Sequence, residues 1–261
     1  MFKVALAQTA HPVDGDVIKM VASHCEKAAS QGAKLIVFPE SLMTRYEEEH
    51  HAFQKAAEAL DGAFCTAMNR LARRYGVWII YTVNELNPQS EKPFNTAVLV
   101  DDAGAVKSVY RKVHLFDSAT TTESERMSKG EKLSAVVEAP FGRLGIGICY
   151  DLRFPEFARR LALQGADILI YPAAWVSGEN KVLQWKTLLA ARAVENCAYA
   201  IGISRCDEGY CGNSAVFSPQ GVEVASCAND EELLICEIDL SENKRAREAI
   251  PVLSNRRDDL Y

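Results

Sequence analysis

The sequence predicts an α/β fold, on three observations. Apolar runs of strand length alternate with segments of helical periodicity along the whole chain. No stretch rich in Pro, Gly or Ser divides it, so residues 1–261 read as a single domain. In addition, QGAKLIVFPES (Gln31 to Ser41) is echoed by QGADILIYPAA (Gln164 to Ala174). The echo marks either two related β-α-β units or two helix-Gly-strand junctions that merely look alike.

The elements follow in order. Val4 to Gln8 is strand-like, and Asp14 or Asp16 can cap a helix that runs to Ser30 and stops at Gly32. Cys25 lies on an apolar stripe of that helix with Ile18, Val21, Ala22 and Ala29. Leu35 to Phe38 is a continuous apolar run of strand length, and such runs joined by helices imply a sheet covered on at least one face. Phe64, Met68, Leu71 and Tyr75 share one helical face, and Gly76 ends that helix. Strands are predicted at Trp78–Thr82, Thr96–Val100 and Val106–Tyr110, the last two joined by a turn at Asp102–Gly104. The second half repeats the alternation: strand Leu144–Cys149, helix Pro155–Leu163, strand Ile168–Tyr171, helix Leu183–Glu195. Short strands then crowd together at Tyr199–Ser204, Ser214–Ser218, Glu223–Ser226 and Leu233–Ile238. Their close, turn-linked spacing predicts antiparallel pairs that complete a mixed sheet.

Composition narrows the function. The chain is 48% hydrophobic and 25% charged, as expected of a soluble globular protein. A net charge of −6 argues against nucleic acid, since phosphate binding favours a basic surface. MFKVALAQTA lacks the basic start and cleavage site of a signal peptide, and no apolar stretch is long enough to span a bilayer. These features predict a cytoplasmic protein with no membrane partner. Among the eight cysteines there is no C-x-x-C pair, and Cys206 and Cys211 have no matching histidines nearby. Neither a metal site nor structural disulfides are expected. Cys25 and Cys65, set among apolar residues, read as small core hydrophobes.

In open α/β sheets, functional groups gather beyond the carboxyl ends of strands. Three reactive residues fall there: Glu40 after Leu35–Phe38, Lys112 after Val106–Tyr110, and Cys149 closing Leu144–Ile148. Singly, each has an ordinary explanation, a solvated charge or a core thiol. As a set they are chemically coherent. A thiol can attack a carbon electrophile, a carboxylate can take and return its proton, and a cation can hold an oxyanion. His11, His24, His50 and His51 sit in no motif; only His114 lies near the set.

FPES (Phe38–Ser41), YRKVHLFD (Tyr110–Asp117) and GICYDLRFPE (Gly147–Glu156) resemble, in this order, the motif blocks of the nitrilase, or carbon–nitrogen hydrolase, superfamily. The resemblance runs from VALAQT at Val4 to RRDDLY at the C-terminus. It implies a four-layer α-β-β-α sandwich, packing of homo-oligomers through helical faces, and no cofactor. It also implies roles: Glu40 as general base, Lys112 as support of the tetrahedral intermediate, Cys149 as nucleophile. The family's second glutamate maps best to Glu123 through ES-x-x-x-S-x-G, with Glu125 as the alternative. The backbone N–H of Tyr150 is the expected second oxyanion donor.

YPAAW (Tyr171–Trp175), ARAVEN (Ala191–Asn196) and IPVLSNRRDDLY are most similar to the Nit-type ω-amidases and deaminated-glutathione amidases. The resemblance therefore implies hydrolysis of a small amide through a thioester. The alternatives are a nitrilase, an N-carbamoyl amidohydrolase, or an inactive relative acting as a regulatory or scaffolding partner. Ala173, Ala174 and Trp175, at the strand end matching Glu40 and Ser41, are expected to line the pocket. The loops Ser118–Thr122, Val176–Asn180 and Cys206–Gly212 are expected to choose the substrate. Arg153 either braces Asp151 or Glu156 or receives a substrate carboxylate; the brace is the preferred reading.

Overall fold

The computed structural model describes residues 1–12, 15–44, 52–119 and 121–260. Asp14, His50 and His51 lie outside the described residues.

The first half contains β1 (Phe2–Gln8), α1 (Val17–Ser30), β2 (Ala33–Val37), α2 (Ala52–Ala56), α3 (Ala63–Tyr75), β3 (Trp78–Glu85), β4 (Phe94–Val100) and β5 (Val106–Arg111). The second opens with β6 (Val137–Ala139), β7 (Gly142–Ile146), α4 (Pro155–Leu163), β8 (Ile168–Ala173) and α5 (Lys181–Asn196). It closes with β9 (Tyr199–Ser204), β10 (Ala215–Phe217), β11 (Glu223–Ser226), β12 (Glu232–Ile238) and α6 (Ser241–Ala249).

The strands form two six-stranded mixed sheets, ordered β12-β1-β2-β3-β4-β5 and β11-β10-β9-β8-β7-β6. Strand spacing alone pointed to one mixed sheet; the four-layer sandwich implied by the resemblance has two, as found here. In each sheet three consecutive strands run parallel, β1-β2-β3 and β7-β8-β9. Two antiparallel strands follow each trio, and one antiparallel strand closes the opposite edge. The echoed segments therefore lead into β2 and β8, the middle strands of equivalent trios. The echo is a repeat of topology.

Side-chain alternation stacks the layers. Val4, Leu6, Leu35, Val37, Trp78 and Ile80 point into a core shared with Leu144 and Ile146 of the second sheet. Their neighbours Ala5, Ala7, Ile36, Phe38, Ile79 and Tyr81 point the other way, onto Val21 and Cys25 of α1 and Phe64 and Met68 of α3. Helices α4 and α5 cover the second sheet with Phe157, Leu161, Trp185 and Leu189. This is the α-β-β-α sandwich, and it explains why the central strands read as continuous apolar runs.

Local signals explain most boundaries. Asp16 caps α1 by accepting from the Lys19 amide at 2.9 Å, and Gly76 ends α3 in the left-handed region, φ 63°. The buried face of α1 is Val17, Val21, Cys25 and Ala28, one position off the predicted stripe. One boundary falls differently at a place that matters. The predicted strand Leu144–Cys149 ends at Ile146, and Cys149 opens a 3-10 turn, Cys149–Arg153. The turn is nucleated by Asp151, whose Oδ2 accepts the Ile148 amide at 2.8 Å. No helix among the described residues is long and apolar enough to cross a membrane.

Candidate active site

The strand ends bring four predicted residues together between the two sheets. Glu40 follows β2, Lys112 follows β5, Glu123 begins a short 3-10 turn, and Cys149 begins the turn after β7. All are buried, with exposures of 4%, 2%, 4% and 8% in that order. Lys112 Nζ donates to Glu40 Oε1 at 2.9 Å and to Glu123 Oε2 at 2.8 Å. Glu125 is exposed, and of the two candidates it is Glu123 that meets Lys112. Two of the three ammonium protons are thereby committed, and one remains for a ligand.

Each glutamate is fixed by backbone as well. Glu40 Oε2 accepts the Ala174 amide at 2.8 Å, and the Glu40 amide donates to the Ala173 carbonyl at 3.3 Å. The two echoed segments thus grip each other across the sheet interface. Glu123 Oε2 accepts the Phe116 amide at 2.6 Å, while the Glu123 amide donates back to the Phe116 carbonyl at 3.1 Å. The rest of the ES-x-x-x-S-x-G segment fastens this loop. Ser128 Oγ donates to the Lys92 carbonyl at 2.6 Å, and a Cβ on Gly130 would sit 2.3 Å from the Arg111 carbonyl oxygen. Only glycine lets the two chains approach this closely.

Asn95, in the apolar strand FNTAVLV, was not singled out in the sequence. Its Nδ2 donates to Glu40 Oε1 at 2.7 Å and to Glu123 Oε1 at 3.2 Å, so one amide group spaces both carboxylates. The available signal was a polar side chain in an otherwise apolar run, since buried polar groups need partners. Asp151 was read only as a partner for Arg153. It is fully buried and accepts from Tyr110 Oη at 2.8 Å, with His114 Nδ1 2.7 Å from its other oxygen. Through these bonds the nucleophile turn is tied to the Lys112 segment.

Electrostatics sets the resting protonation. Burial raises the Cys149 thiol well above its ordinary value of 9.0, the Glu40 charge raises it further, and Lys112 offsets only part. Burial also works against the Glu40 charge, but Lys112 and hydrogen bonds from Lys112, the Ala174 amide and Cys149 outweigh it. The Glu40 carboxyl is therefore lowered from 4.5. Burial likewise opposes the Lys112 charge, yet Glu123 and Glu40 hold the ammonium well above 10.5. At neutral pH the site is a thiol beside a carboxylate, with the cation held between two carboxylates. Cys149 also sits in the left-handed region at φ 45°, a strained conformation for a residue with a side chain.

The pocket over Cys149 encloses about 470 Å3, open mouth included. Thr121, Val176 and Tyr210, one from each predicted substrate loop, stand on its wall. Ala174 lines it as expected, and Trp175 and Tyr150 line a connected side pocket. Ala173 does not line it: fully buried as the last residue of β8, it contributes the carbonyl that ties down Glu40. Arg153 braces neither Asp151 nor Glu156. It donates to Gln184 Oε1 at 2.8 Å and lies over the Trp175 ring at 4.7 Å, because Asp151 is already taken by Tyr110, His114 and the Ile148 amide.

Residues 3–248 match the family model described as carbon-nitrogen hydrolase. The chain is 34% identical over 239 residues to deaminated glutathione amidase of Escherichia coli O157:H7, covering 92% of this chain and 90% of that one. Omega-amidase NIT3 of Saccharomyces cerevisiae is 33% identical over 281 residues, covering 99% and 94% of the two chains. The crystal structure of that yeast Nit3, described as a member of branch 10 of the nitrilase superfamily, superposes with a TM-score of 0.87. The amidase of Nesterenkonia sp. AN1 is 25% identical with a TM-score of 0.81, over 99% of this chain and 95% of that one. One of its structures, of a mutant, carries the acetamide moiety of fluoroacetamide covalently on the active-site cysteine.

Proposed function

The chain belongs to the carbon–nitrogen hydrolase family of amide-hydrolysing enzymes, and we propose that it cleaves small amides by attack of Cys149 through a thioester. The observation that carries this reading is the buried convergence of Glu40, Lys112 and Glu123 beside Cys149 at the floor of an open pocket. The cysteine adduct in the Nesterenkonia amidase supports the role of Cys149 by similarity.

The chemistry follows from the protonation states. Cys149 rests as a thiol, so its proton passes to Glu40 as the sulfur attacks the amide carbon, with no standing thiolate. The carbonyl oxygen becomes an oxyanion, held by the third ammonium proton of Lys112 and the Tyr150 N–H. Protonated Glu40 then donates to the amide nitrogen, the C–N bond breaks, and ammonia leaves. Water, deprotonated by the same carboxylate, attacks the thioester and releases the carboxylic acid, and the thiol recovers its proton. Asn95 and Glu123 keep Glu40 and Lys112 in register throughout. The favoured substrate in this reading is a short dicarboxylate monoamide, an ω-amide, for which the similarity to an omega-amidase is the support.

A nitrile develops its charge on nitrogen along a linear path, which an oxyanion-holding site serves less well. Ammonia release measured across matched amides, nitriles and N-carbamoyl compounds should therefore be fastest for the amides. Rapid nitrile hydrolysis with little amide turnover would overturn this reading in favour of a nitrilase.

A further inference from the structure

We propose that Arg205 is a positioning residue for the general base: its guanidinium holds the Ser41 carbonyl and so fixes the turn that carries Glu40. The inference rests on the reading of Glu40 as the base and adds a residue that acts through it.

Arg205 follows β9 in the second sheet, whereas Glu40 and Ser41 follow β2 in the first. Its Nη1 donates across the sheet interface to the Ser41 carbonyl at 2.8 Å. The backbones meet there as well. The Ala173 carbonyl accepts both the Glu40 amide at 3.3 Å and the Arg205 amide at 3.1 Å. Arg205 Nε donates to Asp207 Oδ1 at 2.9 Å, and Nη2 donates to Asp207 Oδ2. The side chain is buried, so this carboxylate and the packing around it hold the planar fork in one orientation. Burial works against the Asp207 charge, but the hydrogen bonds and the charge of Arg205 outweigh it and lower the carboxyl from 3.8. The ion pair is close to neutral overall, so Arg205 acts on Glu40 through geometry and not through its field.

The turn needs such a hold. Ser41 sits in the left-handed region at φ 56°, which a residue with a side chain keeps only where its surroundings impose it. Thr82 Oγ1 grips the turn on either side, accepting the Leu42 amide at 3.3 Å and donating to the Pro39 carbonyl at 3.2 Å. The Ser41 carbonyl between them is left to Arg205. Without that bond Ser41 can relax, and Glu40, one residue back, swings from Lys112 and the Ala174 amide. Those partners keep the Glu40 carboxyl lowered from 4.5 against its burial. Cys149 is the other titratable group in contact with Glu40, and Glu123 stands across Lys112. Arg205 also lies over the Tyr210 ring, 5.3 Å from its centroid, and Tyr210 lines the pocket.

The test titrates the Glu40 carboxyl by NMR in protein labelled at its glutamate carboxyls, with Glu40→Gln identifying the signal. Ammonia release from succinamate is followed on the same proteins. Lysine keeps the charge of Arg205 but not the fork. Arg205→Lys should therefore move the Glu40 midpoint to higher pH, because burial then prevails. It should also lower kcat by roughly 10–100-fold with little change in KM, the cost of a misplaced group. Tyr210→Ala spares the bond to Ser41, so it should raise KM and leave the Glu40 midpoint in place. If Arg205→Lys does not fold, Asp207→Asn reads the same shift, since it loosens the fork and leaves the guanidinium. A midpoint unmoved by the variant that folds, or moved as far by Tyr210→Ala, would overturn the positioning role. Absence of ammonia release from every form would count against the amidase reading alone, because the titration decides on Arg205 without turnover.

Discussion

Cys149→Ala should lower turnover by roughly 10⁴–10⁶-fold, the range seen when a nucleophile is removed from an intact site, while the protein stays folded. The side chain is small and borders an open pocket, so its sulfur leaves little void. Alanine keeps the Cβ, so the backbone at φ 45° is no more strained than before. A stability change of about 1 kcal/mol, or about 2–4 °C in Tm, is the most that is expected. Cys149→Ser should be nearly as inactive, because Glu40, lowered below its ordinary value, is a poor base for a hydroxyl. Ammonia release and a thermal melt on the same preparations check both. Substantial activity in Cys149→Ala would remove the nucleophile from the scheme.

Lys112→Met should cost both stability and rate. The ammonium bridges Glu40 and Glu123 at 2.9 and 2.8 Å, and methionine would leave two buried carboxylates facing each other. Breaking a buried ion pair in this way typically costs about 3–5 kcal/mol. The sign of the pH dependence follows from the shifts. Lys112 is raised above 10.5, so its contribution is present below that pH and lost as pH climbs through the folded value. Glu40 is lowered from 4.5, so its contribution is present above that pH and lost as pH falls. The wild type should exceed the mutant most between pH 4.5 and 10.5. In the folded fraction, kcat should fall far more than KM rises, the pattern of a contact made mainly in the transition state. Adding Glu123→Gln should restore much of the stability and none of the turnover. Weakened binding with normal turnover would instead make Lys112 an anchor for the substrate.

The sequence was most legible where chemistry and strand ends coincide. Glu40, Lys112 and Cys149 each follow a predicted strand, and their motifs held them in the right order. Strand pairing was less legible. Alternating apolar runs say that strands are buried, not which neighbours they choose, so the two sheets were legible from the motif resemblance and not from the periodicity. The 3-10 turn at Cys149 escaped notice because Ile148 continues the apolar pattern while its amide has left the ladder for Asp151. Asn95 and the Arg153–Gln184 pair depend on contacts between distant segments, which periodicity cannot carry. Helix α6 was missed because SENKRAREA buries only Asn243 and Ala246 and shows no apolar stripe.

The central claim is that the acyl group passes through Cys149. Its most direct test is an acid quench during turnover of succinamate, followed by mass spectrometry of the intact protein and of its peptides, with hydroxylamine added in parallel. The predicted result is one succinyl group on the peptide containing Cys149, labile to hydroxylamine, and diversion of product to the hydroxamate. Steady ammonia release with no acyl group on Cys149 and no hydroxamate would contradict it.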